Sequence, residues 1–237
     1  MKYSAPLQCG QWIKRYKRFF LDINTPDGVL TIHCPNTGSM KNCGKEGDKV
    51  WYSLSNNPKR KLPGTSEIVE LGNGDRIGIN THLANKLVKE ALESGVIEEL
   101  SGYVAWKSEV KIGNSRIDLR GEDSNGNYCY AEVKSLTLLE ENGIGCFPDS
   151  VTERGQKHLK ELIQLTSEGI QAALIFCVQH TGIKEAAPAD HIDPEYGRLL
   201  REAVSKGVKV LAYRVCFSED QEKVVAAELT DGIPIRL

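Results

Sequence analysis

The sequence predicts two folded units, a small β-barrel followed by an α/β sandwich built on a mixed sheet. Three observations carry this. Residues 1–81 contain short strand-like runs and no convincing helical periodicity. From residue 82, apolar residues recur at helical spacing and alternate with strand-like runs. The charge also changes sign. Residues 1–81 hold 12 Lys and Arg against 7 Asp and Glu, a net of +5, whereas residues 82–237 hold 18 against 25, a net of −7.

In the first unit, strand-like runs fall at residues 18–23, 29–34, 49–54, 68–71 and 76–79, separated by polar or Gly/Pro/Asn segments. Five short strands in this length point to an OB-like barrel. Seven of the sixteen aromatic residues lie here, and Lys14, Arg15, Lys17 and Arg18 interleave with Tyr16, Phe19 and Phe20. A second basic cluster, Lys59, Arg60 and Lys61, sits in a Pro-flanked loop. Oligonucleotide-binding barrels combine cations for phosphates with rings for bases, so these seven cations are candidate DNA contacts. For any single ring, a place in the barrel core is the competing reading.

The second unit opens with a helix on Leu83, Leu87, Val88, Ala91 and Leu92, with Gly95 as its stop. Strands follow at residues 103–112, 116–120 and 128–134. Thr152 opens a helix whose apolar residues are Leu159, Leu162, Ile163 and Thr166. Residues 171–178 read as a buried strand. Asp193 followed by Pro194 is a cap with proline in the first turn, and Tyr196, Leu199, Leu200, Ala203 and Val204 form the inner face of that helix up to Gly207. A strand at residues 208–213 completes the order α-β-β-β-α-β-α-β, a sandwich on a mixed sheet.

The most informative segment lies inside this unit. Ser115-Arg116-Ile117-Asp118-Leu119 and Tyr130-Ala131-Glu132-Val133-Lys134 read as two strands joined by a polar segment with an Asn125-Gly126 turn signal. Glu132 and Lys134 share a face. A three-residue loop sets Asp118 opposite Glu132, and a two-residue loop turns it to the other face. Two carboxylates at one point can hold a hard cation such as Mg²⁺ or Mn²⁺, and a lysine beside them can stabilise a phosphoryl oxyanion. The tripeptide alone is weak, because a chain this rich in acids and lysines contains a few by chance. Glu109-Val110-Lys111 is one such competitor.

Composition bounds the rest. Apolar content of 40% and charged content of 26% are those of an ordinary globular protein. No apolar run approaches the roughly 18 residues of a membrane span. The first eleven residues lack the pattern of a signal peptide, so a cytoplasmic protein is expected. The seven cysteines form no Cys-x-x-Cys and are expected to be reduced and buried. No helix-turn-helix pattern is present, which argues against sequence-specific repression.

The order of elements resembles the restriction-endonuclease-like, or PD-(D/E)xK, nucleases. That resemblance places the acid of the second core strand at Asp118 and the acid-x-Lys of the third at Glu132 and Lys134, and leaves Glu109-Val110-Lys111 on the first strand as a decoy. The chain as a whole resembles the bacterial sugar fermentation stimulation protein family. The resemblance rests on Lys14-Arg15-Tyr16-Lys17-Arg18-Phe19, His33-Cys34-Pro35-Asn36-Thr37-Gly38-Ser39-Met40, Asn57-Pro58-Lys59-Arg60-Lys61-Leu62-Pro63, Ser115-Arg116-Ile117-Asp118, Glu132-Val133-Lys134, Phe147-Pro148-Asp149 and Val151-Thr152-Glu153-Arg154-Gly155-Gln156-Lys157-His158-Leu159. It implies DNA binding without sequence preference. It also implies an OB-like domain over residues 1–81 and a PD-(D/E)xK-like domain over residues 82–237. Gln156 and Lys157 open the helix where related nucleases place a supporting Gln or Lys, which makes Gln156 a candidate catalytic residue and Lys157 a candidate DNA contact. One departure stands out: Asn85 occupies the place where many relatives carry a metal-side Glu, with Glu90 more than a turn later. His33 and Cys34 point to opposite faces of a strand and are not expected to share a ligand. Two readings follow. One is a Mg²⁺- or Mn²⁺-dependent DNA phosphodiesterase with an OB-type clamp. The other is a non-catalytic DNA-binding regulator of sugar (maltose) metabolism on a nuclease fold.

Overall fold

The computed structural model describes residues 1–36, 38–112 and 115–237. Thr37, part of the His33-to-Met40 run, lies outside the described residues. The first unit comprises β1 (Gln8–Tyr16), β2 (Phe20–Thr25), β3 (Gly28–His33), β4 (Lys49–Leu54), β5 (Gly64–Glu70) and β6 (Arg76–Gly78). Their order is β3-β2-β1-β4-β5-β6, and a parallel contact between His33 and Thr65 closes β3 onto β5. The result is a closed five-stranded OB barrel with β6 attached to β5. Its interior holds Trp12, Leu21, Ile23, Ile32, Val50, Tyr52 and Val69.

The strand missed by sequence reasoning is β1. Its buried Trp12 is flanked by exposed Gln11 and Lys14 and half-buried Ile13, so the alternation that marks a half-buried strand is blurred. A register shift between Trp12 and Lys14 is the local cause.

The second unit begins with α1 (His82–Glu93) and continues through β7 (Lys107–Ile112), β8 (Ser115–Glu122) and β9 (Tyr128–Leu136). Next come β10 (Leu138–Leu139), β11 (Ile144–Phe147), α2 (Glu153–Ser167), β12 (Gln171–Val178) and β13 (Glu185–Pro188), then α3 (Pro194–Ser205), β14 (Lys209–Asp220) and β15 (Lys223–Gly232). The large sheet has the order β15-β14-β12-β9-β8-β7, with β12 parallel to both β9 and β14. Seven of the eight residues of β12 are buried, as befits a central strand covered on both faces. Leu87, Val88, Ala91 and Leu92 of α1 pack on one face against Val133, Ile175, Cys177 and Val215. On the other face, α2 and α3 pack Leu159, Leu162, Tyr196, Leu199 and Leu200 against Leu174, Phe176 and Val178.

Several expectations change. The first strand begins at Lys107 rather than at residue 103, because Tyr103 joins the sheet only through a single bridge to Asp123. β15 and the small sheet β10-β11-β13 are additions to the expected order. Cys9 and Cys216 are exposed, and only the other five cysteines are buried. Among the described residues, no helix is long and apolar enough to cross a membrane.

The two units share a continuous seam. Leu7, Trp51 and Ile68 of the barrel form one apolar cluster with Val224 of β15. The Gly78 N–H donates to the Gln179 carbonyl at 2.7 Å. A Cβ at position 78 would stand 2.5 Å from the Gln179 side-chain oxygen, so the close approach needs glycine. A second contact joins the units: Ser39 Oγ and N donate to Asp149 Oδ2 at 2.8 and 3.0 Å.

Candidate metal centre and nucleic-acid surface

The centre is built on the β8–β9 hairpin. Its register pairs Glu122 with Tyr128, Gly121 with Cys129, Arg120 with Tyr130 and Leu119 with Ala131. The connecting loop therefore has an odd residue count, and one further step sets Asp118 across from Glu132. The Asp123 carboxylate fixes the turn by accepting the N–H groups of Asn125 and Asn127, each at 2.8 Å. Past Leu119 the Asp118 side chain enters the ladder: its Oδ2 accepts the Val133 N–H at 2.9 Å.

Each carboxylate is held from a different helix. Asn85 of α1 donates Nδ2 to Asp118 Oδ1 at 2.9 Å. His158 of α2 hydrogen-bonds through Nδ1 to Glu132 Oε1, and Lys134 Nζ reaches the same oxygen at 2.6 Å. Lys134 Nζ and His158 Nδ1 are themselves 3.3 Å apart. With Lys134 donating to Glu132, the Nδ1–H tautomer of His158 lets both groups donate to Oε1.

The electrostatics separate the two acids. Asp118 is pushed up by burial and by the neighbouring Glu132 charge, against the Val133 N–H, the Lys134 charge and Asn85. Burial also pushes Glu132 up, but the His158 hydrogen bond and Lys134 outweigh it and hold Glu132 below the usual carboxylate range. Glu132 is thus a buried anion at 2% exposure, tolerated because a cation and a hydrogen-bond donor share one of its oxygens.

Its other oxygen, Oε2, is buried and has no hydrogen-bond partner. The Tyr196 hydroxyl, on fully buried Tyr196 of α3, lacks one too. Burial and the nearby Glu132 charge raise that phenol well above its ordinary value. A buried carboxylate oxygen left without a protein partner can take a water or a cation. Mg²⁺ uses one or two carboxylates, with waters and substrate phosphates completing its shell. Asp118 and Glu132 fit that donor set. Among the described residues, no group of three or more His, Cys, Asp and Glu side chains forms a fuller cage.

Other candidates go elsewhere. Gln156 donates Nε2 to both oxygens of Asp193, at 2.9 and 3.1 Å, so its amide ties α2 to the cap of α3 and does not join the carboxylate pair. Glu90 lies 2.7 Å from the Met1 amino nitrogen. Glu109 sits on exposed β7 and pairs with Arg116. His158 and Tyr196 are what sequence reasoning missed. A signal for His158 existed: it lies four and seven residues before Leu162 and Leu165, on the inward stripe of α2.

The barrel cations divide by geometry. Lys17 and Arg18 stand exposed at the tip of the β1–β2 hairpin with φ of 46° and 63°, a left-handed conformation that non-glycine side chains rarely adopt. Exposed Phe19 follows them. Lys14 lies 5.5 Å over the Tyr16 ring. Arg15 spends its guanidinium on the carbonyls of Arg18, Asn36 and Gly38, so it organises the loop that docks on Asp149 and is less available to a phosphate. Lys59, Arg60 and Lys61 are exposed between β4 and β5, with Arg60 donating to Thr65 at 2.6 Å. Lys157 is exposed on α2, 3.6 Å from Glu161.

A closed OB barrel leading into a mixed sheet, with an acid and an acid-x-Lys on the sheet's hairpin, defines a two-part chain. Residues 13–79 match the SfsA N-terminal OB domain, and residues 82–221 match the sugar fermentation stimulation protein RE domain. The chain belongs to the sugar fermentation stimulation protein family. The homologue of Shewanella piezotolerans is 53% identical over 241 residues, covering 100% of both chains. The Marinomonas homologue is 52% identical over 227 residues, covering 95% of this chain and 88% of its own. The solved SfsA of Pyrococcus furiosus superposes with a TM-score of 0.86 at 25% identity, covering 100% of this chain and 98% of its own.

Proposed function

We propose that this chain binds DNA without sequence preference and hydrolyses its phosphodiester bonds with Mg²⁺ or Mn²⁺ held by Asp118 and Glu132. The observation that carries the reading is the buried, unpartnered Oε2 of Glu132, a residue close enough to Asp118 for its charge to raise the Asp118 carboxyl. The solved Pyrococcus furiosus relative was obtained in complex with Ca²⁺, which supports a divalent site in the family. When bound, the metal supplies Lewis-acid activation of water and phosphate. The chain's own residues set the stage for it. His158 and Lys134 lock Glu132 Oε1 and so aim Oε2, while Asn85 and the Val133 N–H hold Asp118. Lys134 also brings a positive charge to the place where negative charge develops on the scissile phosphate. In this division of labour, residues 1–81 form the nucleic-acid-binding domain and residues 82–237 the nuclease domain, with the work done in the cytoplasm.

One observation favours a second reading, a DNA-binding regulator of sugar use without turnover. Asn85 presents an amide N–H to Asp118 where a third carboxylate would strengthen a metal site. A cleavage assay across single- and double-stranded DNA decides between them. Wild type should cut slowly with Mg²⁺ or Mn²⁺ and bind without cutting in Ca²⁺. Asp118→Ala and Glu132→Ala should lose metal-dependent cleavage, and Lys134→Ala should lose about 10²-fold in turnover. Equal activity in all four proteins marks a contaminant, and no cleavage with DNA binding intact overturns the phosphodiesterase and favours the regulator.

A further inference from the structure

We propose that the hairpin of β7 and β8 is a second DNA-binding element, gripping the sugar-phosphate backbone beside the Asp118–Glu132 pair. β7 is the edge strand of the large sheet, and Lys107, Lys111 and Arg116 on this hairpin are exposed. The register sets Lys107 directly across from Arg120, and Lys111 directly across from Arg116. Like charges directly opposite one another destabilise a sheet. One short hairpin carries two such cation–cation pairs, and its stability alone gives no reason for them.

Their placement gives a reason. Along β8, Asp118 stands two residues from Arg116 and two from Arg120, and alternate residues of a strand share a face. The carboxylate proposed to hold the metal is thus bracketed by cations on its own strand. Neutralisation within the hairpin is partial: Arg120 lies 4.0 Å from Glu122 on its own strand, a long contact. Arg116 pairs with Glu109 at 2.9 Å, but both side chains are more than half exposed, at 66% and 56%, and such pairs contribute little. Arg120 lies with its guanidinium 4.2 Å from the centre of the Tyr128 ring, which holds its charge in place. Glu161 of α2 accepts the Ser115 hydroxyl and lies 3.6 Å from Lys157, so a further cation stands beside the start of β8.

A polyanion converts this repulsion into attraction, because each phosphate can sit between two cations. DNA is the polyanion that the proposed function supplies, and the inference rests on that reading. It also gives Glu109-Val110-Lys111 a role unconnected with metal: Glu109 orients Arg116, and Lys111 meets phosphate.

The test is fluorescence anisotropy of a labelled mixed-sequence DNA duplex in metal-free buffer across a range of salt, with thermal melts alongside. In the Lys107→Glu/Lys111→Glu variant each cation pair becomes a cross-strand ion pair, so Tm should hold or rise. Affinity should fall about tenfold or more, and the slope of log K against log salt should shrink by about 2. Lys107→Ala/Lys111→Ala removes the charges without creating new pairs and should shrink the slope equally. Arg60→Glu reports on the barrel. If Arg60→Glu weakens binding while both hairpin variants match wild type in affinity and slope, DNA binding stands and this inference is overturned. Wild type that binds no DNA overturns both.

Discussion

At the scale of single residues, Glu132 concentrates the argument. Its Oε1 has two donors and its Oε2 none, an asymmetry that leaves one buried oxygen without a partner. His158 supports that arrangement without being a ligand itself. Outer contacts of this kind cost about 10- to 100-fold in metal affinity when removed. His158→Ala should therefore weaken Mn²⁺ binding by about tenfold or more in calorimetric titration, and unchanged affinity would remove His158 from the site. Glu67 makes a prediction about pH. Burial lifts it above the usual carboxylate range, although hydrogen bonds from Ser53 and Asn80 and the Arg60 charge oppose this. A carboxyl with a raised folded pKa holds its proton more tightly when folded. Its contribution to stability is full below the unfolded pKa and is lost as pH rises through the folded pKa. Glu67→Gln can keep both contacts, accepting from Asn80 and donating to Ser53, and it abolishes the loss. The Tm advantage of the variant should grow as pH rises from the unfolded carboxyl range, about pH 4, through the raised folded value. A constant difference would contradict this.

At the scale of elements, caps and periodicity made much of the fold legible. Thr152 accepts the Gly155 N–H at 3.0 Å and Asp193 accepts the Tyr196 N–H at 2.9 Å, both as N-caps, and β12 spans the stretch its apolar run marks. The hairpin was legible in type, while its face depended on loop length, which turn residues alone left open until the Asp123 turn fixed an odd count. Gln156 shows that position in a helix does not say which neighbour takes a side chain. Here Asp193 takes it, together with the Thr152 and Tyr196 N–H groups. β15 and the small sheet were not legible: half-buried and edge strands lack the apolar run that announced β12. Asp193→Ala removes the shared acceptor and should cost about 2–4 kcal/mol by urea denaturation. Gln156→Ala should cost less, about 1 kcal/mol, and leave metal-dependent cleavage intact. A loss of turnover equal to that of Lys134→Ala would return Gln156 to the site.

At the scale of the whole molecule, the barrel is joined to the large sheet by an apolar seam and by the Ser39–Asp149 contact, so cations on the barrel stand at fixed positions relative to Asp118 and Glu132. Reversing Lys59, Arg60 and Lys61 together should weaken binding to all DNA sequences alike and flatten its salt dependence. A preference of about a thousandfold for one sequence, with a shallow salt slope, would contradict a backbone-reading platform. Whether Asp118 and Glu132 form a divalent-metal centre can be seen by anomalous diffraction from crystals soaked in Mn²⁺. A Mn²⁺ peak between the Asp118 carboxylate and Glu132 Oε2 is expected, absent from Glu132→Ala crystals that retain the fold. Saturating Mn²⁺ with no peak between these two side chains would contradict a metal centre there.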